Sequence, residues 1–438
     1  MTRFHIITNA HLDPVWLWDW REGLNEGIAT CRAVLDLMNE FPELKFTRGE
    51  ASVYEHIERH APETFARIRE KIAEGRWEVA GGNYVQPDTN LPATEVLARQ
   101  FRRGLGYFRR ALGVRPVAAW AADSFGHSAG CPAIYAAAGM KYFAFWRPFA
   151  SELALPGPAF WWEAAGGERV LSWRIQVGWY GSTRAEIPGR LDAYREESAQ
   201  WGVENVMVPL GLGNHGGGPS RAQIEAGWRG QNRDVEVVFS TLHGFFEALS
   251  AEAARLPVFR GELNFTLRGC YASAASVKFA YRRAENAPCK PSAQCPPSRA
   301  ARGGKHRHGP PAPDLGEAWD AVLFTPFTTC CPARPSSRRW RAARGSARRN
   351  TTRARGERRA ERAGVAVDTA SRHGRPARRR ARAVVEPNPH PSTGRWSLRR
   401  RWTSPAGRVQ NKPDAVRSRC ATGGRAAVPV RRGKQFRA

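Results

Sequence analysis

Along residues 1–287 the apolar positions fall into two alternating patterns. Short unbroken runs occur in FHIITNAH, VRPVAAWAAD, KYFAFW and ENVMVPLGLG, each ending in a polar or Gly-rich stretch, as buried strands do. Residues 45–50 and 76–80 read as further strands. Between them the spacing changes to three and four. Leu24, Ile28, Cys31, Val34, Leu35, Met38 and Phe41 line one face of a helix over 24–41. PATEVLARQFRRGLGYFRRALG predicts a helix over 92–113 that opens at a proline and stops at Gly113. GCPAIYAAAGMKYFAFW reads as a helix, a glycine stop and a strand. Repeated strand-then-helix order implies an α/β fold with a parallel sheet and outer helices, either a barrel or an open doubly wound sheet.

Near residue 288 the pattern stops. PCKPSAQCPPSRAARGGKHRHGPP has no apolar period, so 288–313 is expected to be irregular. DLGEAWDAVLF again has helical spacing, which places a helix within 314–327. Residues 328–438 are rich in Arg, Ala, Pro, Ser and Gly and poor in large aliphatics; they cannot bury enough surface to offset chain entropy and are expected to be disordered.

Charge divides at the same place. The 438-residue chain carries a net charge of +28, yet residues 1–287 hold 32 basic and 32 acidic side chains. The remainder holds 36 basic and eight acidic ones, so the whole excess lies in the C-terminal third. Clustered arginine gives salt-dependent affinity for phosphate whatever its origin, but the tail has no zinc-finger, RNP or helix-turn-helix pattern. A basic nucleic-acid-binding protein is therefore the weaker reading, and no specific nucleic-acid partner is expected. No apolar run approaches the roughly 20 residues of a membrane-spanning helix, and no membrane association is expected. MTRFHIITNAHLDPVW lacks an apolar leader, and Cys31, Cys131 and Cys270 follow no disulfide or CxxC spacing. Reduced thiols and a cytoplasmic location are expected.

Three polar clusters follow strands: His11 and Asp13 in NAHLDPVW, Asp123 and His127 in ADSFGHSAG, and Asn214 and His215 in GLGNHGGGP. In parallel α/β folds the strand C-termini share one rim, so clusters from separate loops can converge there on one ion. Imidazole and carboxylate donors suit zinc or a similar divalent metal. Each cluster also has a plainer reading. His-x-Asp can be a hydrogen-bonded loop, the glycines after His215 can serve a tight turn, and Trp16, Trp18 and Trp20 can be core aromatics.

NAHLDPVWLW, GGNYVQPDTNLP, ADSFGHSAGCPAIYAAAGMKYF, GLGNHGGGP and GELNFTLRGCYAS, in that order, resemble the catalytic barrel of glycoside hydrolase family 38, the α-mannosidases. The resemblance implies a seven-stranded α/β barrel over 1–287, then a helical bundle and β-rich domains; the last have no counterpart in this chain. It implies one zinc ion with His11 and Asp13 as ligands and Asp123 as both ligand and nucleophile of a retaining reaction on α-mannoside glycans or oligosaccharides. Trp16 matches the aromatic floor beneath the sugar, and Arg147 and His215 match substrate-site positions. The zinc is expected to hold sugar hydroxyls 2 and 3. A retaining enzyme needs a second carboxyl group about 5–5.5 Å from the nucleophile to act as acid and base. Homo-oligomers are compatible with intact family members. A metal-dependent polysaccharide deacetylase also uses His and Asp on an α/β barrel, but SFGHSAG and PDTNLP favour the mannosidase pattern.

Two departures bear on activity. Asn214 stands at the suspected acid/base position, where the family pattern has Asp, and an amide has no proton to give. The family's fourth zinc ligand is a His in a segment close to Phe-His-Asp-Met-Leu-Pro-Gly-Ser-Ser. GC-rich codons for that segment, read after loss of one C behind the Phe codon, give Phe-Thr-Thr-Cys-Cys-Pro-Ala-Arg-Pro, which is residues 327–335. The C-terminal third is thus read as frameshifted, with Thr328 where the ligand His would be. Little or no mannosidase activity is expected of the chain as it stands.

Overall fold

The computed structural model describes residues 1–183, 185–213, 216–228, 234–287 and 316–326. The expectations for 288–313, 328–438, Thr328, Asn214 and His215 lie outside these residues. Among the described residues the chain opens with β1 (Thr2–Thr8), α1 (Trp20–Glu40), β2 (Phe46–Arg48), α2 (Ala51–His60), α3 (Pro62–Ala73), β3 (Trp77–Val79) and α4 (Thr94–Leu112). It continues through β4 (Ala118–Ala121), α5 (Cys131–Ala138), β5 (Tyr142–Phe145), β6 (Ala159–Glu163) and β7 (Arg169–Arg174). Then follow α6 (Ile187–Trp201), β8 (Asn205–Leu210), α7 (Arg221–Trp228), β9 (Val235–Phe239), α8 (Leu242–Ser250), β10 (Val258–Arg260), α9 (Arg268–Ala272), α10 (Ala275–Asn286) and α11 (Gly316–Phe324).

The result is a mixed α/β fold. β1 lies between β8 and β9, parallel to both. Its residues from Phe4 onward are buried, so the strand reads as a continuous apolar run rather than an alternating one. β2 pairs in parallel with β3, and a parallel bridge from Asn9 to Thr47 ties β1 to that pair. Gly81 N–H donates to the Ala118 carbonyl at 2.8 Å, which carries the same direction on to β4. β4, β5 and β7 are successive parallel neighbours.

The expected all-parallel order fails at β6, which runs antiparallel to β7. The connection explains it. A right-handed parallel crossover needs a dozen or more residues, and only 164–168 link these strands. They form a turn in which Gly167 takes a φ of 91° and donates to the Ala164 carbonyl. Ten strands in hydrogen-bonded groups of three, five and two are present among the described residues, rather than one run of seven.

The helices obey the periodicity. The Asp19 carboxylate accepts from Arg21 N–H and starts α1, whose Leu24, Ile28, Cys31, Val34, Leu35 and Met38 enter the core. α4 ends at Gly113, which adopts φ 71°. A Cβ on Gly104 would stand 2.3 Å from the Gly82 carbonyl oxygen, so α4 lies directly on the chain leaving β3. α11 packs Trp319, Val322 and Leu323 against Val96 and Tyr281. Gln100 Nε2 donates to the Leu323 carbonyl at 2.6 Å, and Arg103 pairs with Asp320 at 3.1 Å. No helix among the described residues is long and apolar enough to cross a membrane.

Candidate active site

Because β1, β2, β4, β5 and β7 run the same way, the chain leaves all five at one rim. His11 and Asp13 follow β1, Glu50 follows β2, Asp123 follows β4, Arg147 follows β5 and Tyr180 follows β7. The loops are fixed from behind. Buried Arg48 donates from Nη1 to the Ala10 carbonyl at 2.9 Å, immediately before His11. Arg48's own carbonyl accepts from Tyr54 Oη at 3.1 Å, and Tyr54 Oη accepts from Trp77 Nε1 at 2.8 Å. Asn9 Nδ2 donates to the Tyr180 carbonyl at 3.0 Å, joining the β1 and β7 loops. Gln86 positions the Asp123 loop: its Oε1 accepts from Asp123 N–H at 3.2 Å while its Nε2 donates to the Trp120 carbonyl at 3.3 Å.

Polar groups held this deep in protein interact strongly. His11 and Asp13 are 2% and 1% exposed, with His11 Nε2 3.4 Å from Asp13 Oδ1. Burial alone would lower the His11 pKa. The hydrogen bond and charge of Asp13, then the charges of Asp123 and Glu50, outweigh it and raise the value. Asp123 is 7% exposed, and Arg147 Nε donates to its Oδ1 at 2.8 Å. Its pKa is raised by burial against the opposing pull of His11 and Arg147. Glu50, also buried and with φ 62°, is raised by burial against Arg48 and His11. His11, Asp13 and Asp123 therefore belong to one electrostatic cluster, joined by Glu50 and Arg147.

Aromatic rings border it. Tyr180 meets the His11 ring edge-on at 4.9 Å and Trp146 at 5.0 Å. Burial, followed by the charges of Asp123 and Asp13, raises the Tyr180 pKa. The Arg147 guanidinium stacks 4.1 Å from the Trp146 ring centre. Trp16 is half-buried and stands edge-on to Trp18 at 5.7 Å; Trp18 Nε1 donates to the Asp13 carbonyl at 2.8 Å. The chain approaching Asn214 also reaches this wall, since a Cβ on Gly213 would lie 2.2 Å from the Tyr180 ring.

His127 departs from the cluster in which its sequence neighbours placed it. It is fully buried among Phe143, Phe145 and Trp162, with Nδ1 3.0 Å from Thr89 Oγ1. Its backbone bridges antiparallel to Leu263, which turns the ring into the core. Sequence reasoning missed Glu50, Gln86 and Tyr180. A carboxylate directly after a strand could have flagged Glu50. The Trp179–Tyr180 pair in a glycine-bounded loop could have flagged Tyr180 once β7 was recognised.

One imidazole and two buried carboxylates have the donor chemistry of a zinc site. As their side chains stand, no group of three or more His, Cys, Asp or Glu among the described residues is placed to hold a metal ion. Asp123 is committed to Arg147 instead. The donor types thus fit zinc, while the spacing belongs to an ion-paired arrangement that would have to open to admit it.

The comparisons agree with this architecture. The sequence profile of the glycosyl hydrolases family 38 N-terminal domain matches residues 1–262. Alpha-mannosidase G of Dictyostelium discoideum is 27% identical over 335 residues, covering 76% of this chain and 30% of that protein. Human alpha-mannosidase 2C1 is 28% identical over 288 residues, covering 64% of this chain and 27% of that protein. The chain therefore spans less than a third of the length of these relatives. Among solved structures, a family 38 glycosyl hydrolase from Enterococcus faecalis superposes with a TM-score of 0.53 at 15% identity, covering 78% of this chain and 38% of that one. By the match over most of its ordered length, this chain belongs to glycosyl hydrolase family 38.

Proposed function

We propose that the chain is the catalytic portion of a retaining α-mannosidase, impaired in this form, in which Asp123 is the nucleophile. The observation that carries the reading is the convergence of His11, Asp13, Asp123 and Arg147 from separate strand ends onto one buried cluster inside the family-matched segment. The strands parallel to β1 would make up the barrel of the intact enzyme. His11, Asp13 and Asp123 would hold zinc, Asp123 exchanging Arg147 for the metal. When bound, zinc would grip adjacent sugar hydroxyls and favour ring distortion.

The remaining steps fall to the side chains. The Asp123 carboxylate attacks the anomeric carbon, the glycosidic bond breaks, and water later releases mannose from the glycosyl-enzyme. Arg147 restrains the carboxylate before substrate enters. Trp16 and Trp146 offer apolar faces for the sugar ring. Asn214 cannot protonate the departing oxygen, so the first step depends on how well the aglycone leaves unaided. The three described cysteines stand as free thiols, which suits a reducing cytoplasmic setting.

The test is aglycone dependence in the full chain with zinc supplied. Dinitrophenyl α-mannoside should be hydrolysed slowly, while a methyl or mannosyl aglycone should react at least about 100-fold more slowly for want of acid catalysis. Asp123→Asn should remove the activated-substrate reaction as well. No release of dinitrophenolate, or unchanged release in the Asp123→Asn variant, overturns the assignment.

A further inference from the structure

α2 carries His56 and His60 four residues apart, so both imidazoles leave the same face of the helix. Their ring centres are 4.4 Å apart and the planes are inclined by 44°. α1 supplies a third donor, for Asn25 Oδ1 lies 2.9 Å from His56 Nε2. His60 is exposed and His56 half-buried, so solvent and ions reach the pair. None of these residues belongs to the buried cluster proposed for the mannosidase reaction.

The nitrogen–oxygen separation discriminates between coordination geometries. Two ligands about 2.0–2.1 Å from one ion stand about 2.9 Å apart when they subtend a right angle, and about 3.3–3.4 Å apart at a tetrahedral angle. The observed value matches the right angle. Imidazole with a neutral oxygen is also the donor set that tetragonal ions accept and hard ions such as magnesium do not.

We propose that His56, His60 and Asn25 form a surface site for a tetragonal transition-metal dication, Cu²⁺ or Ni²⁺, which bridges α1 and α2. The metal replaces the proton on His56 Nε2, that proton passes to buffer, and water fills the remaining positions. Burial, then the charges of His60 and Arg59, hold His56 below its ordinary pKa, so little competing proton has to be displaced at neutral pH.

Titration calorimetry of the full chain with NiCl₂ tests the site, with a His56→Ala/His60→Ala double variant and an Asn25→Ala variant alongside. The double variant controls for the chain's other histidines, because only the difference between the titrations is read. The parent chain should bind one more equivalent of Ni²⁺ than the double variant. Asn25→Ala should weaken that equivalent by about tenfold. With Cu²⁺, the electron paramagnetic resonance spectrum should show coupling to two imidazole nitrogens that the double variant lacks, at unchanged circular dichroism. Equal stoichiometry in parent and double variant overturns the proposal, and an Asn25→Ala affinity equal to the parent's overturns the three-donor geometry on which it stands.

Discussion

His127 should make the fold acid-labile, by an amount the structure sets. Thr89 Oγ1 donates to the Gly126 carbonyl at 2.9 Å and so has only lone pairs left for His127. Nδ1 of His127, 3.0 Å away, therefore carries the ring proton, and Nε2 is the bare nitrogen. Nε2 faces the Phe143, Phe145 and Trp162 box and has no hydrogen-bond partner among the described residues. Charging it there has no compensation, and burial pushes the pKa down from 6.5 to about 3. In the unfolded chain the value returns to about 6.5. Between these values the unfolded state binds the proton and the folded state does not, so stability rises with pH through this window and is complete above its upper end. Linkage puts the loss at about 2 kcal/mol by pH 5 and about 3 kcal/mol by pH 4. His127→Asn keeps a donor near Nδ1 and removes the titration. Urea unfolding of both proteins from pH 7.5 to 4.5 isolates the effect, because groups common to the two cancel in the difference. The advantage of the parent over the variant should shrink by about 2 kcal/mol between pH 7.5 and pH 5. A difference that stays level across that range would refute the reasoning.

Two further outcomes follow from the packing. Arg147→Met removes the guanidinium from the buried Asp123 carboxylate and should lower stability by about 3 kcal/mol in denaturant melts; added zinc should recover part of the loss, and an unshifted midpoint would show that the pair is not what holds Asp123. Gly104→Ala sets a methyl group against the Gly82 carbonyl, so thermal melts should show a loss of about 3 kcal/mol as α4 is pushed off the β3 loop; an unchanged melt would mean that the loop yields freely.

Much of the site was legible because it hangs on strand ends. His11, Asp13 and Asp123 follow β1 and β4, two of the apolar runs that composition and periodicity mark most clearly. Arg147 required the motif after β5 as well. Tyr180 was hidden for a topological reason. AFWWE and RVLSWR form a hairpin, and an antiparallel excursion breaks the strand-then-helix rhythm by which the other loops were recognised. His127 shows the opposite error, since proximity in sequence to Asp123 was taken for proximity in space. The antiparallel bridge to Leu263, 136 residues further on, decides its direction, and nothing local in ADSFGHSAG encodes that partner. The positive φ of Glu50 is likewise a tertiary fact; the residues FTRGE do not announce it.

The hairpin between β6 and β7 also separates two ends of the molecule. β7 delivers Tyr180 to the chemistry from its far terminus, so the tip at 165–168 opens on the opposite end of the sheet, where all four residues face solvent. A fluorophore, an affinity tag or even a short inserted peptide could be carried at Gly166–Gly167 without approaching the sugar, giving a handle for immobilising or tracking the enzyme while leaving its reactive mouth unencumbered.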